Sequence, residues 1–328
     1  MSGMQRDRFE PLEGVAAPAA AFEQAWARDR LHHAWLLTGP RGVGKAAFAW
    51  RAARRLLGAA PAGAELASAP DDRVNRLIVA RAHPDLLVLE RETEDGKPRR
   101  NIPVDEARRL PEFFSKAPAV SAFRVAVIDA ADDLNVNAAN AVLKTLEEPP
   151  PRGVLLLVSH APGRLLPTIR SRCRRLSFAP WTTEALEAWL RARGLDPTAA
   201  GSARGSPGRA LALADAGEGA FTAVAALIER LPQADEAQWL KLTDGLRGGE
   251  AAERFAGLLG AMADVIRARL TDASSMGDAA GGELWAQAWE RLSALPGEVE
   301  AVNLDRADAL VSLLGDLRAA ARVRPLAA

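Results

Sequence analysis

Residues Gly39-Pro40-Arg41-Gly42-Val43-Gly44-Lys45 constrain what this chain can fold into more than any other stretch. An apolar run, Trp35-Leu36-Leu37, leads into them, and an alanine-rich segment without glycine or proline, Ala46 to Leu57, follows. A strand entering a glycine-rich turn that opens a helix is the order of a phosphate-binding loop. In such a loop, backbone N–H groups and the helix N-terminus attract anionic oxygens. Lys45 then reaches the terminal phosphates of a nucleotide, with Gly39, Gly42 and Gly44 shaping the cradle. The next position, where a working loop holds Mg²⁺ through Ser or Thr, is Ala46. A plainer alternative is a tight turn whose glycines only permit close helix–sheet packing.

A chain of 328 residues is too long for one small core, so two or three domains are expected. Lys and Arg number 42, as do Asp and Glu, so bulk charge gives no pull toward nucleic acid or an anionic membrane. The first residues are charged and lack an apolar centre, and no run of about 18 apolar residues occurs, so neither a signal peptide nor a membrane span is expected. One cysteine, Cys173, leaves no internal disulfide or cysteine zinc cluster and fits a reducing, cytoplasmic setting. His32, His33, His83 and His160 have no metal-ligand spacing.

Hydrophobic period and breakers organise the first half. Helices are expected over Phe22–Leu31, Val104–Phe114 and Asn137–Glu148, with a short helical piece at Leu77–Ala82. Buried strands are expected at Leu86–Leu89, Arg124–Asp129 and Val154–Ser159, because apolar runs without alternation suit a parallel sheet covered on both faces. Glu92–Arg100 reads as an exposed loop, Thr168–Arg175 as a basic turn and Leu176–Phe178 as a short closing strand. Pro149-Pro150-Pro151 stops the third helix. Beyond Phe178 every periodic segment is helical: Glu184–Arg193, Arg209–Ala216, Ala223–Leu231, Ala237–Leu246, Glu250–Leu270, Glu283–Leu295 and Leu304–Arg322. Trp239, Trp285 and Trp289 are candidate core or interface aromatics, with core preferred.

Nucleotide hydrolysis needs a strand-end carboxylate for Mg²⁺ and a group that orients the attacking water. Asp129 occupies the first position, but the next residue is Ala130, and Asp132 and Asp133 are read as caps of the following segment. The chain is therefore expected to lack hydrolytic activity of its own.

The run Asn137-Ala138-Ala139-Asn140-Ala141-Val142-Leu143-Lys144-Thr145-Leu146-Glu147-Glu148-Pro149-Pro150 resembles the signature of bacterial clamp-loader AAA+ subunits. Ser171-Arg172-Cys173 and His83-Pro84-Asp85 match the same family. With the altered magnesium residues, the pattern is similar to the non-motor branch of that family. The resemblance implies that Arg172 is an arginine finger inserted in trans into a neighbouring motor's ATP site, and that Ser159 stands at the first sensor position. The second-sensor position is Gly208, with Arg209 one residue late, a turn of about 100° around a helix. Many relatives carry a four-cysteine zinc module where residues 58–84 here hold no cysteine, so zinc is not expected.

The expected fold is α/β: a P-loop AAA+ domain with a parallel sheet over residues 1–179, a small helical lid over 180–217, and an all-α collar over 218–328. By resemblance the partners are the γ/τ and δ subunits, the β sliding clamp and, through the complex, primed DNA. ATP or ADP would bind weakly if at all, and Mg²⁺ only with it. The alternatives are an active AAA+ ATPase motor and, less well matched, a P-loop kinase for a small molecule.

Overall fold

The computed structural model describes residues 15–91 except 64, 93–94, 97–98, 101–215, 251–302 and 304–323, with isolated positions 227, 230, 239, 243 and 246. It divides into two units, Met1–Trp189 with Arg204–Gly208, and Leu190–Ala203 with Arg209–Ala328.

The first unit is built on five parallel strands: β1 (Ala34–Thr38), β2 (Leu86–Glu90), β5 (Arg124–Asp129), β6 (Gly153–Ser159) and β7 (Arg174–Ser177). Their spatial order is β2-β5-β6-β1-β7, which is the α/β sheet the apolar runs imply. Alternate side chains feed two cores. Trp35, Leu37, Val125, Val127 and Leu156 pack on one face with Phe22 of α1 (Ala16–Ala27) and Phe48 of α2 (Lys45–Leu56). Leu36, Ala126, Ile128, Leu155 and Leu157 pack on the other with Leu110 of α4 (Val104–Phe114) and Val142 of α5 (Val136–Glu147). β1 and β6 are buried at every position, as central strands covered on both faces must be. β2 departs from the buried strand expected. It lies at the sheet's edge, and only Leu87 and Leu89 are fully buried.

Local capping explains several boundaries. Asp72 accepts the Val74 N–H at 2.7 Å, so α3 (Arg73–Val79) starts four residues before the expected piece. Asn135, not Asp132 or Asp133, caps α5 by accepting the Ala138 N–H at 2.9 Å. The basic turn resolves into α6 (Pro167–Ser171) followed directly by β7. The closing strand expected at Leu176–Phe178 begins two residues earlier, where two arginines hid those positions from a hydrophobic reading. The segment read as an exposed loop contains a two-residue antiparallel pairing of β3 (Thr93–Glu94) with β4 (Lys97–Pro98).

His83-Pro84-Asp85 is a structural corner. The Asp85 carboxylate is wholly buried and accepts backbone N–H groups of Ala119, Val120 and Ser121 at 2.7, 2.8 and 3.0 Å. Arg124 lies 3.6 Å away and also donates to the carbonyls of Pro84, Phe113 and Lys116. The network ties the start of β2 to the loop that enters β5.

After β7 come α7 (Thr183–Arg191), α8 (Ala199–Ala203) and α9 (Pro207–Asp215). The second unit is then dominated by α10 (Ala251–Ser275), α11 (Ala279–Val302) and α12 (Arg306–Val323). Met262, Ile266, Trp285, Leu292, Leu313 and Leu314 form its core, with Trp239 buried among them. Trp289 packs at the margin, with the Arg267 guanidinium 4.7 Å from its ring centroid. The helices expected at 223–231 and 237–246 lie outside the described residues except for isolated positions. Among the described residues no strand follows Ser177, and no helix is long and apolar enough to cross a membrane.

Candidate phosphate loop and arginine edge

A parallel sheet delivers the carboxyl ends of its strands to one rim, and ligands of open α/β sheets bind there. Register pairs Thr38 with Ser159 and Asp129 with Val158, so Gly39–Lys45, Asp129 and Ser159 converge from positions up to 120 residues apart. The glycines are there for geometry. Gly39 has φ 145°, and a Cβ on it would sit 2.3 Å from the Phe178 carbonyl oxygen. Gly44, at φ 102°, is the N-cap residue from which α2 departs.

Lys45 is almost completely buried and turns back into its own loop. Its ammonium donates to the carbonyls of Gly39 at 2.6 Å and Pro40 at 2.5 Å. Burial pulls its pKa down to about 8. The carboxylates of Asp132 and Asp129 favour the cation and limit the fall, while Arg41 opposes it. The next two carbonyls are also engaged: Arg41 accepts the Ser206 hydroxyl at 3.1 Å and Gly42 accepts the Gly208 N–H at 3.0 Å. Four consecutive loop carbonyls therefore accept hydrogen bonds from the chain itself. A Cβ at residue 208 would lie 3.1 Å from Gly42 Cα, so a side chain at this position would press on the loop. Arg209 is directed elsewhere, donating to the Gly260 carbonyl at 2.7 Å within the second unit.

The other rim residues are equally occupied. Ser159 is fully buried and donates to Asp132 Oδ1 at 2.9 Å. Asp132 also accepts N–H groups of His160 at 2.5 Å and Ala161 at 3.2 Å, so it closes the end of β6. Burial raises the Asp133 pKa, against its ion pair with Arg91 at 3.2 Å. Ala46 and Ala130 offer no side-chain oxygen.

Arg172 lies at the C-terminal end of α6, partly exposed. Its guanidinium meets Glu147 Oε1 at 3.0 Å and donates to the Thr168 carbonyl at 3.2 Å. Around it, Arg170 donates to the Pro162 carbonyl, Arg174 lies 5.0 Å from the Trp35 ring centroid, and Arg175 Nε donates to Thr38 Oγ1 at 2.9 Å. Burial pushes the neighbouring Cys173 thiol up to about 12, which favours the protonated form. Sequence reasoning missed Glu147, Asp132 as the partner of Ser159, and Ser206. Glu147 stands inside the quoted signature and Ser206 inside the stretch Gly205-Ser206-Pro207-Gly208 that holds the second-sensor position, whereas no local pattern announces Asp132 as the partner of Ser159.

Residues 16–182 match a protein family described as DNA polymerase III, delta subunit. The chain is 43% identical over 172 residues to DNA polymerase III subunit delta′ of Pseudomonas aeruginosa, covering 52% of this chain and 50% of that one. It is 35% identical over 170 residues to the delta′ subunit of Bacillus subtilis, covering 52% and 49%. Against the delta′ subunit of Escherichia coli it is 34% identical over 245 residues, covering 73% and 71%. The matches thus span about half the length of the first two relatives and over two thirds of the third.

Proposed function

Because the chain belongs to the delta-prime family of DNA polymerase III clamp-loader subunits, we propose that it is a non-motor member of a clamp-loading complex. In this reading it assembles with γ/τ and δ subunits in the cytoplasm, with residues 180–217 as lid and 218–328 as collar. It helps the complex place the β sliding clamp on primed DNA. Its own loop holds ATP or ADP weakly at most, and Arg172 supplies charge stabilisation to the ATP site of a neighbouring motor.

The observation that carries this reading is the engagement of the loop by its own chain. The Lys45 ammonium, the group that would meet a polyphosphate, is spent on the carbonyls of Gly39 and Pro40, and the Ser159 hydroxyl is spent on Asp132. An incoming polyphosphate must displace Lys45 from two carbonyls, and meets no side-chain oxygen at residue 46 to share Mg²⁺. Arg172, by contrast, is partly exposed and its guanidinium has donors to spare. Arginine fingers are worth about 10³–10⁵ in the rate of the site they serve, by stabilising charge on the transferring phosphoryl group.

The test is clamp- and DNA-stimulated ATP hydrolysis by the reconstituted loader, comparing wild type with Arg172→Ala in this chain. Loss of the contribution of one motor site, with assembly intact on size exclusion, is expected. An unchanged rate overturns the finger assignment. ATP turnover by the purified chain alone would favour an active motor instead.

A further inference from the structure

Arg172 is held by two groups of its own chain, and one of them is placed against local preference. Glu147 is the last residue of α5, where the partial negative charge of a helix C-terminus disfavours a carboxylate. Its ion-pair partner is Arg172, and the Thr168 carbonyl receives the other arm of the same guanidinium.

Both carriers are anchored. Val142 and Leu146 bury the inner face of α5, and the three prolines that follow stop it; a Cβ on Gly153 would lie 2.2 Å from Pro150 Cγ. Ile169 is fully buried and seats α6 on the same core. The pair itself is open to solvent, with side-chain exposures of 37% for Arg172 and 51% for Glu147. Exposed pairs of this kind add little to folding stability. Their effect here is geometric: two contacts fix the plane of a five-donor fork while leaving other N–H groups for an anion.

We propose that Glu147 is a positioning residue for Arg172. With the Thr168 carbonyl, it holds the guanidinium in the pose in which a neighbouring subunit's phosphoryl oxygens meet it. This rests on the reading of Arg172 as a trans-acting finger. A freed arginine samples many rotamers, and only a fraction of them are productive, so the loss falls on the chemical step and not on ATP affinity.

The experiment is a double-mutant cycle in the reconstituted loader: wild type, Glu147→Gln, Arg172→Ala and the double variant, each assayed for clamp- and DNA-stimulated ATP hydrolysis. Glu147→Gln is expected to remove at least about half of the share of kcat that Arg172→Ala removes, with KM for ATP unchanged. It should add nothing in the Arg172→Ala background. Melting of the isolated chain should move by no more than about 2 °C, as for an exposed pair. If Glu147→Gln matches or exceeds wild type while Arg172→Ala is slow, the positioning role is overturned and the finger stands. If Glu147→Gln slows both backgrounds equally, Glu147 acts on structure and the proposal fails. If Arg172→Ala leaves the rate unchanged, the finger and its positioning residue fall together.

Discussion

Lys45 makes a quantitative prediction because its charge is kept in a place that disfavours it. In an unfolded chain a lysine holds its proton to a pH of about 10.4. In the folded protein, burial brings that value down to about 8 despite Asp132 and Asp129. Between those values the unfolded chain binds more protons than the folded one, so stability must rise as pH rises through the window. Below about pH 8 the penalty is fully present. At about 1.4 kcal/mol per tenfold change in proton affinity, it amounts to about 3 kcal/mol at neutral pH, and about 2 kcal/mol of it is recovered by about pH 9.5. Lys45→Met keeps a stem of similar length and removes the titration. It also leaves the Gly39 and Pro40 carbonyls without their donor, a cost that does not vary with pH. The informative quantity is therefore the stability difference between wild type and variant, measured by urea unfolding with circular dichroism and a separate transition for each unit. Wild type should gain about 2 kcal/mol relative to Lys45→Met between about pH 7 and about pH 9.5. A difference that stays constant within about 0.5 kcal/mol refutes the buried-lysine argument, as would a Lys45 Cε resonance that titrates above about pH 10.

Three further outcomes follow from the same geometry. Asp85→Asn should cost about 3 kcal/mol in urea unfolding, because it leaves Arg124 without a carboxylate and turns an amide donor toward the Ala119 N–H or, if flipped, toward those of Val120 and Ser121. Burial alone would raise the Asp85 pKa, but those N–H groups and Arg124 outweigh it and hold the carboxyl below the usual range. Its contribution is accordingly full above about pH 4 and is lost as pH falls through the depressed value, so the acid dependence of wild type should exceed that of Asp85→Asn. Gly39→Ala should destabilise the first unit by about 2–4 kcal/mol with no nucleotide present, read by thermal melting. The new Cβ meets the Phe178 carbonyl at 2.3 Å and the backbone keeps a φ of 145°. Cys173 should resist a disulfide reagent at about pH 8 in the folded chain and react at once in denaturant; rapid native labelling would contradict a thiol held at about 12.

Residue pattern alone determined the elements whose signals are local. The helix at Val104–Phe114 was legible to the residue, because period, acidic first turn and flanking breakers all agree. The glycine-rich turn between β1 and α2 was legible because glycines must stand where φ is positive, as at Gly42 and Gly44. The absence of hydroxyl and carboxyl groups at residues 46 and 130 can likewise be read from composition at a position. Tertiary structure decided what becomes of those groups. Lys45 bonds to carbonyls five and six residues back, Ser206 reaches a carbonyl 165 residues away, and Ser159 meets an aspartate 27 residues before it. The insertion of β1 between β6 and β7, and the edge position that leaves β2 half covered, also come from packing. The physical reason is range. Periodicity and capping act over one or two helical turns, whereas these partners are chosen by which buried polar group finds a donor or acceptor once the sheet has closed. Arg172 shows both limits at once: its motif is visible in three letters, and the glutamate that pairs with it is known only from the fold.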